Sequence, residues 1–294
     1  MLLEACLKRS GEYQGTSIFE IDNRGSTAVY RAASFGNLTC VQAIGEEARR
    51  QDKVGKLVNK STNIGRTPIY IASYYGNVEV VQYLIQNNAT IDSATNEKDV
   101  AHGSTALIAA CQEGKLEILR LLVNAGGDVR RQKQDGSDCV YMAARFNRIE
   151  VLQEVLPQHP SLVERRLFQG QTILHAASLN GNVEAVKYIL EQGGMVTLNE
   201  KDDEIQGTPL MAAAYDKHLE VVKILLDAGA KVNEENKNGD TALTLAAYYG
   251  CLPCVKELAR NNADIQHIGW QGNTALQLAE AQGHTKIVDY LKNL

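Results

Sequence analysis

The stretch GDTALTLAAYYGC, residues 239–251, decides the fold. Thr241 opens a run of alanine, leucine and aromatic residues, and Gly250 closes it. A threonine hydroxyl at a helix start accepts a hydrogen bond from an early backbone N–H that has no partner within the helix. Alanine and leucine are strong helix formers. A glycine reaches the left-handed conformation that ends a helix. The stretch therefore predicts one short helix between Thr241 and Gly250, and a helix that short is marginal in water without neighbours to pack on.

The same arrangement returns along the chain. GSTAVYRAASFGN starts at Gly25, GRTPIYIASYYGN at Gly65, GSTALIAACQEGK at Gly103 and GSDCVYMAARFNR at Gly136. GQTILHAASLNGN follows at Gly170, GTPLMAAAYDKH at Gly207 and GNTALQLAEAQGH at Gly272. The anchors Thr27, Thr67, Thr105, Asp138, Thr172, Thr208, Thr241 and Thr274 are spaced by 40, 38, 33, 34, 36, 33 and 33 residues. Pro68 and Pro209 follow their anchors as first helical residues, where a missing N–H costs nothing. Gly36, Gly76, Gly114, Gly181, Gly250 and Gly283 end these inner helices. A second, outer helix is predicted after each, with apolar residues at helical spacing: Val78, Val81, Leu84 and Ile85 in one copy and Leu219, Val222, Leu225 and Leu226 in another. Asn88, Gly126, Gly193, Gly229 and Asn262 end the outer helices.

These copies resemble the ankyrin family, whose repeat is 33 residues long with a T-P-L-H-x-A core. The resemblance covers about residues 22–294 in eight copies. It implies an all-α solenoid of stacked helix–turn–helix units with β-hairpin loops and no continuous sheet. Residues 1–21, with Leu2, Leu3, Cys6 and Leu7, are expected to form an N-terminal capping helix and connector. The first two spacings imply long connections around residues 45–60 and 92–101. Asn147 and Lys217 stand where the other inner helices have glycine, and Pro157 and Pro160 are expected to redirect the chain after the fourth copy.

Composition narrows the function. A net charge of −5 argues against general nucleic-acid binding, which needs a concentrated basic face. No apolar run approaches the roughly 18 residues of a spanning helix, so no membrane insertion is expected. The N-terminal stretch lacks the apolar core of a secretory signal. Six scattered cysteines do not make a disulfide-built secreted domain, so a reducing, cytoplasmic setting is expected, with the nucleus as the second location. The chain is expected to be a monomer by itself.

Cys251-Leu-Pro-Cys254 has the spacing of a redox pair or half a zinc site. It lacks the strand–helix context of the first and the further ligands of the second, so packing is the preferred reading. His175 occupies the histidine of the repeat core, which the resemblance assigns to hydrogen bonding between neighbours. His218 and His284 follow inner-helix ends and take the same reading, whereas His102 and His267 lie in hairpins and are open to partner contact. No phosphate-loop, nucleophile-elbow or metalloprotease motif occurs. No enzyme activity, no cofactor and no metal site are expected.

Ankyrin proteins bind through hairpin tips and the exposed side of the inner helices, and the resemblance implies the same here. Seven of the 17 aromatic residues fall in the two positions before the inner-helix ends, where packing demands no aromatic side chain. The candidate partner-binding residues are Phe35, Tyr74, Tyr75, Arg145, Phe146, Tyr215, Tyr248, Tyr249 and Trp270, expected to line one concave face. Aromatic and arginine side chains dominate interface energetics. Tyr30, Tyr70 and Tyr141, at the core histidine position, and Tyr83, Tyr188 and Tyr290, on the outer helices, read as structural. The hairpin edge changes from DVRRQK and ERR to NEKDDE and NEENKNGD, a gradient suited to a ligand with charge of both signs. The leading expectation is a scaffold that binds a protein or peptide ligand in its groove. The long early connections also resemble the feminization family of ubiquitin-ligase receptors, which implies a substrate-recognition role. A microbial effector acting on host proteins and an unrecognised enzyme are the remaining alternatives.

Overall fold

The structure, a computed structural model, describes residues 17–294. The expected helix over Leu2–Leu7 lies outside the described residues. Two compact units divide the chain, Met1–Met142 and Ala143–Leu294. The described part of the first contains α1 (Ala28–Ser34), α2 (Leu38–Arg50), α3 (Val54–Val58), α4 (Pro68–Tyr75), α5 (Val78–Gln86), α6 (Ala106–Glu113) and α7 (Leu116–Asn124). Helix α8 (Cys139–Arg145) spans the division. The second unit continues with α9 (Ile149–Val155), α10 (Ile173–Leu179), α11 (Val183–Glu191), α12 (Pro209–Tyr215) and α13 (Leu219–Asp227). It ends with α14 (Ala242–Tyr249), α15 (Leu252–Arg260), α16 (Ala275–Ala281) and α17 (Thr285–Lys292). Among the described residues the only β-type pairings are two isolated bridges, Ile21 with Thr27 and Ile268 with Thr274.

Each inner helix starts as its anchor predicts. The hydroxyls of Thr27, Thr67, Thr105, Thr172, Thr208, Thr241 and Thr274 accept from the backbone N–H three residues on. Asp138 does the same with its carboxylate, accepting from Tyr141 N at 3.0 Å. Each such cap contributes about 1 kcal/mol.

The helix ends join one repeat to the next. Gly250 has φ 83°, and a Cβ there would lie 2.6 Å from Cε1 of His284. That space lets the His284 imidazole place Nε2 3.0 Å from the Tyr248 carbonyl, which has no acceptor role left inside its own helix. Asn182 serves the same purpose in its repeat, donating to the carbonyls of Ala144 and Arg145 at 2.7 and 2.8 Å. Asn147 and Lys217 adopt the left-handed conformation expected of them, with φ of 54° and 66°.

Within the first unit α1 packs on α4 and α4 on α6; within the second, α10, α12, α14 and α16 pack in succession. Alanines at the contacts are fully buried, among them Ala33, Ala72, Ala110, Ala177, Ala214 and Ala247. The outer helices bury most of the apolar residues at helical spacing, with a shift in each. Val80, Val81 and Leu84 are the buried residues of α5, while Val78 and Ile85 are half-buried. In α13, Val221 is buried in place of Leu219.

The long early connections are structured. The first contains the extended α2 and the extra helix α3, which buries Leu57 and Val58. The second is held by a buried carboxylate, Asp99, paired with Arg66. After α9 the chain turns through a short 3-10 segment at Pro160–Leu162 and buries Leu162 and Val163, as the two prolines led one to expect.

The cysteines depart from the reading of isolated packing residues. Cys111 is bonded to Cys139 and Cys251 to Cys254, with Cα atoms 5.4 and 5.3 Å apart, inside the span a disulfide can bridge. Neighbouring inner helices bring the first pair together, and one turn of α15 with its N-cap brings the second.

Candidate partner-binding groove

The second unit carries a cavity of about 470 Å3 on the inner-helix side. Helices α10, α12, α14 and α16 supply its floor, through residues such as Leu179, Met211, Leu245 and Leu278. Four of the expected partner residues form one cluster on it. The Tyr215 and Tyr249 rings meet at 4.4 Å and 62°, Tyr248 and Tyr249 at 5.0 Å and 76°, and Tyr248 and Trp270 at 6.1 Å and 85°. Edge-to-face contacts of this kind add roughly 0.5–1.5 kcal/mol each beyond the area they bury. Burial, together with a hydrogen bond to Tyr215, pushes the Tyr249 hydroxyl up to about 12.

Trp270 is held by two different contacts. It lies in the short 3-10 turn Trp270–Gly272, with its ring against Tyr248 and its backbone N–H donating to Asp240 Oδ1 at 3.0 Å. It remains 41% exposed, and Tyr215 44%. The structure therefore keeps both rings available at the cavity while fixing their positions through neighbours.

The other candidates occupy different surroundings. In the second unit Phe146 is exposed, with the Arg145 guanidinium 5.7 Å from its ring centre. In the first unit Tyr74 and Tyr75 meet edge to face at 5.2 Å, and Phe35 is 73% exposed. Tyr70 is buried beneath the Arg66 guanidinium, and burial pushes the Tyr30 hydroxyl up to about 12, in keeping with structural roles for this pair.

Three further imidazoles of the second unit are committed to backbone carbonyls. Nε2 of His175 lies 3.1 Å from Gly207 O, His218 Nε2 3.1 Å from Leu179 O, and His267 Nε2 2.7 Å from Gly239 O. His267, open to partner contact on sequence grounds, is thus tied to the neighbouring hairpin. Nδ1 of His175 faces Thr172, so neither ring nitrogen is left for proton transfer. Burial drives its pKa below the ordinary value. Among the described residues no group of three His, Cys, Asp or Glu side chains is placed to hold a metal ion, and no helix is long and apolar enough to cross a membrane.

The charged hairpin edge is partly self-neutralised. Arg166 binds Glu200 and Asp203 at 2.6 and 2.7 Å, and Lys201 binds Glu234 at 2.9 Å. Part of the sequence gradient is therefore spent between adjacent hairpins. Three carboxylates at the cavity, Asp202, Glu204 and Asp240, were not singled out beforehand. Their signal lay inside the acidic hairpin runs, but which acids turn toward the inner helices depends on the turn geometry.

Short capped helices stacked in pairs, with an aromatic groove on the inner-helix side, define a helical-repeat protein of the scaffold class. The family description "Ankyrin repeats (3 copies)" matches residues 4–95, 92–166, 140–236 and 229–293. The chain belongs to the ankyrin-repeat family, whose domains serve in general as protein-interaction scaffolds. It is 32% identical over 172 residues to the ankyrin repeat and KH domain-containing protein mask-1 of Caenorhabditis elegans, covering 58% of this chain and 6% of that protein. It is 30% identical over 109 residues to the fem-1 homolog A-like protein of Mus musculus, covering 37% of this chain and 15% of that protein. The chain thus spans a small part of the curated relatives it matches. The crystal structure of the human ASB11 ankyrin repeat domain superposes with a TM-score of 0.68 at 24% identity, covering 80% of this chain and 98% of that one.

Proposed function

We propose that this chain is a non-catalytic binding scaffold that takes a peptide or a partner-protein surface on its inner-helix side. The observation that carries the reading is the Tyr215–Tyr249–Tyr248–Trp270 cluster, partly exposed over a cavity whose floor is apolar. A rigid aromatic set loses little rotamer freedom on binding, and such residues supply the largest shares of interface energy. Partner capture with the intact chain, followed by affinity measurement on the purified partner, tests it. Tyr215→Ala is expected to weaken that complex, and a partner indifferent to every groove substitution would refute the reading.

A substrate-recognition role in a ubiquitin-ligase receptor is the second reading. The long early connections, with the extra helix α3, and the partial match to a fem-1 homolog favour it. Co-purification with cullin-ligase subunits from cells is its test. A cytoplasmic or nuclear location is proposed with both readings. In such a compartment both cysteine pairs would stand as thiols, and thiol trapping in intact cells distinguishes that from an oxidised state.

A further inference from the structure

We propose that the cavity of the second unit receives a cationic side chain, arginine or lysine, from an extended peptide. The inference rests on the groove reading above and adds the chemistry of the ligand. Three features of the site converge on it. First, the walls are aromatic: Tyr215, Tyr248, Tyr249 and Trp270 meet at angles of 62–85° rather than stacking flat. Rings so inclined turn π-faces in several directions, and a π-face attracts a cation through its quadrupole.

Second, the fixed charge at the cavity has one sign. Asp202, Glu204 and Asp240 line it, and among the described residues no lysine or arginine does. The two aspartates are buried, yet each is oriented by donors. Asp240 Oδ1 accepts from Trp270 N at 3.0 Å and from the Thr244 hydroxyl at 3.3 Å, and Asp202 Oδ1 accepts from the N–H groups of Glu204 and Ile205 at 2.9 and 2.8 Å. Glu204 is exposed, and among the described residues its carboxylate makes no ion pair. The ammonium of Lys237 binds the Glu204 backbone carbonyl, outside the cavity lining. An acidic or phosphorylated side chain would meet like charge here, whereas a cation would meet opposite charge and π-faces together.

Third, the space suits a long side chain. A volume of about 470 Å3 above Leu179, Met211 and Leu245 accommodates an aliphatic stem on the apolar floor, with its charged head among the rings and carboxylates.

Trp270, the single tryptophan of the chain, reports directly on the site. A degenerate dodecapeptide library is selected on the intact chain, and enriched peptides are resynthesised for titration by tryptophan fluorescence. The expected result is enrichment of Arg or Lys at one position and a saturable change in Trp270 emission. Replacing that residue by citrulline or acetyl-lysine should cost about tenfold in affinity. Glu204→Gln should weaken the cationic peptide severalfold and leave the citrulline peptide unchanged. Peptides that perturb Trp270 equally with arginine and citrulline, or an enrichment of acidic residues, would overturn the cation while leaving the groove reading intact. Selected peptides that neither perturb Trp270 nor respond to Tyr215→Ala, or no enrichment at all, would overturn both.

Discussion

Arg66 and Asp99, 33 residues apart, meet as a two-point ion pair, with Nε 2.6 Å from Oδ2 and Nη2 2.9 Å from Oδ1. The Asp99 side chain is 1% exposed, and its Oδ1 also accepts from Ala101 N at 3.0 Å. Burial alone would raise its pKa. The hydrogen bonds from Arg66 and Ala101, with the guanidinium charge, hold it below the ordinary 3.8. The pair fastens the 92–101 connection to the preceding hairpin. Asp99→Ala should cost roughly 2 kcal/mol, less than a fully buried pair because the Arg66 side chain is partly exposed. Urea unfolding measures it. With the folded pKa depressed, this contribution is present above about pH 4 and is lost as pH falls through the folded value, a loss that Asp99→Asn removes.

His175 sets a second pH dependence. Its pKa is lowered by burial, against the opposing effect of the Gly207 carbonyl. The unfolded chain, with a histidine near its ordinary 6.5, therefore binds a proton more readily than the folded one. Stability is full above pH 6.5 and declines as pH falls, by up to about 1.4 kcal/mol per unit for one proton. Denaturation between pH 7.5 and 5.5 should show this decline, and His175→Gln should flatten it at a lower overall stability.

Lys217 holds φ 66° where six other inner helices end in glycine. A side chain there costs about 1 kcal/mol, offset in part by the freedom glycine adds to the unfolded chain. Lys217→Gly is expected to raise stability by roughly 0.5 kcal/mol, seen as a small rise in Tm by calorimetry. A drop would mean that the lysine side chain makes a compensating contact.

Groove and outer helices should separate cleanly in binding. Tyr75→Ala, Phe146→Ala and Tyr215→Ala remove exposed rings, and a hot spot among them should lose about 2 kcal/mol of partner affinity with Tm nearly unchanged. Tyr249→Ala should weaken binding too, but with about 1 kcal/mol of lost stability, because its ring touches both Tyr215 and Tyr248. Glu79→Ala and Glu184→Ala, on exposed outer-helix positions, should change neither. Isothermal titration with a captured partner reads all six.

Helix starts and stops were legible in the residues because their causes are local. Thr241 caps Thr244 N within one turn, and Gly250 needs only its own freedom of φ to end α14. The repeat spacing followed from these punctuation marks, and so did the positions of the exposed aromatic residues. Stacking decided the rest. The Cys111–Cys139 bond, the Arg66–Asp99 pair and the Trp270–Asp240 contact join residues 28, 33 and 30 apart, and each depends on how one hairpin is carried past the next. Burial of Val80 rather than Val78 had the same origin, since spacing gives a helix its apolar period but the neighbour it packs on gives it a phase. A short-range hydrogen bond is chosen by the residues that make it, whereas a contact between repeats exists only once the translation between them is set by packing.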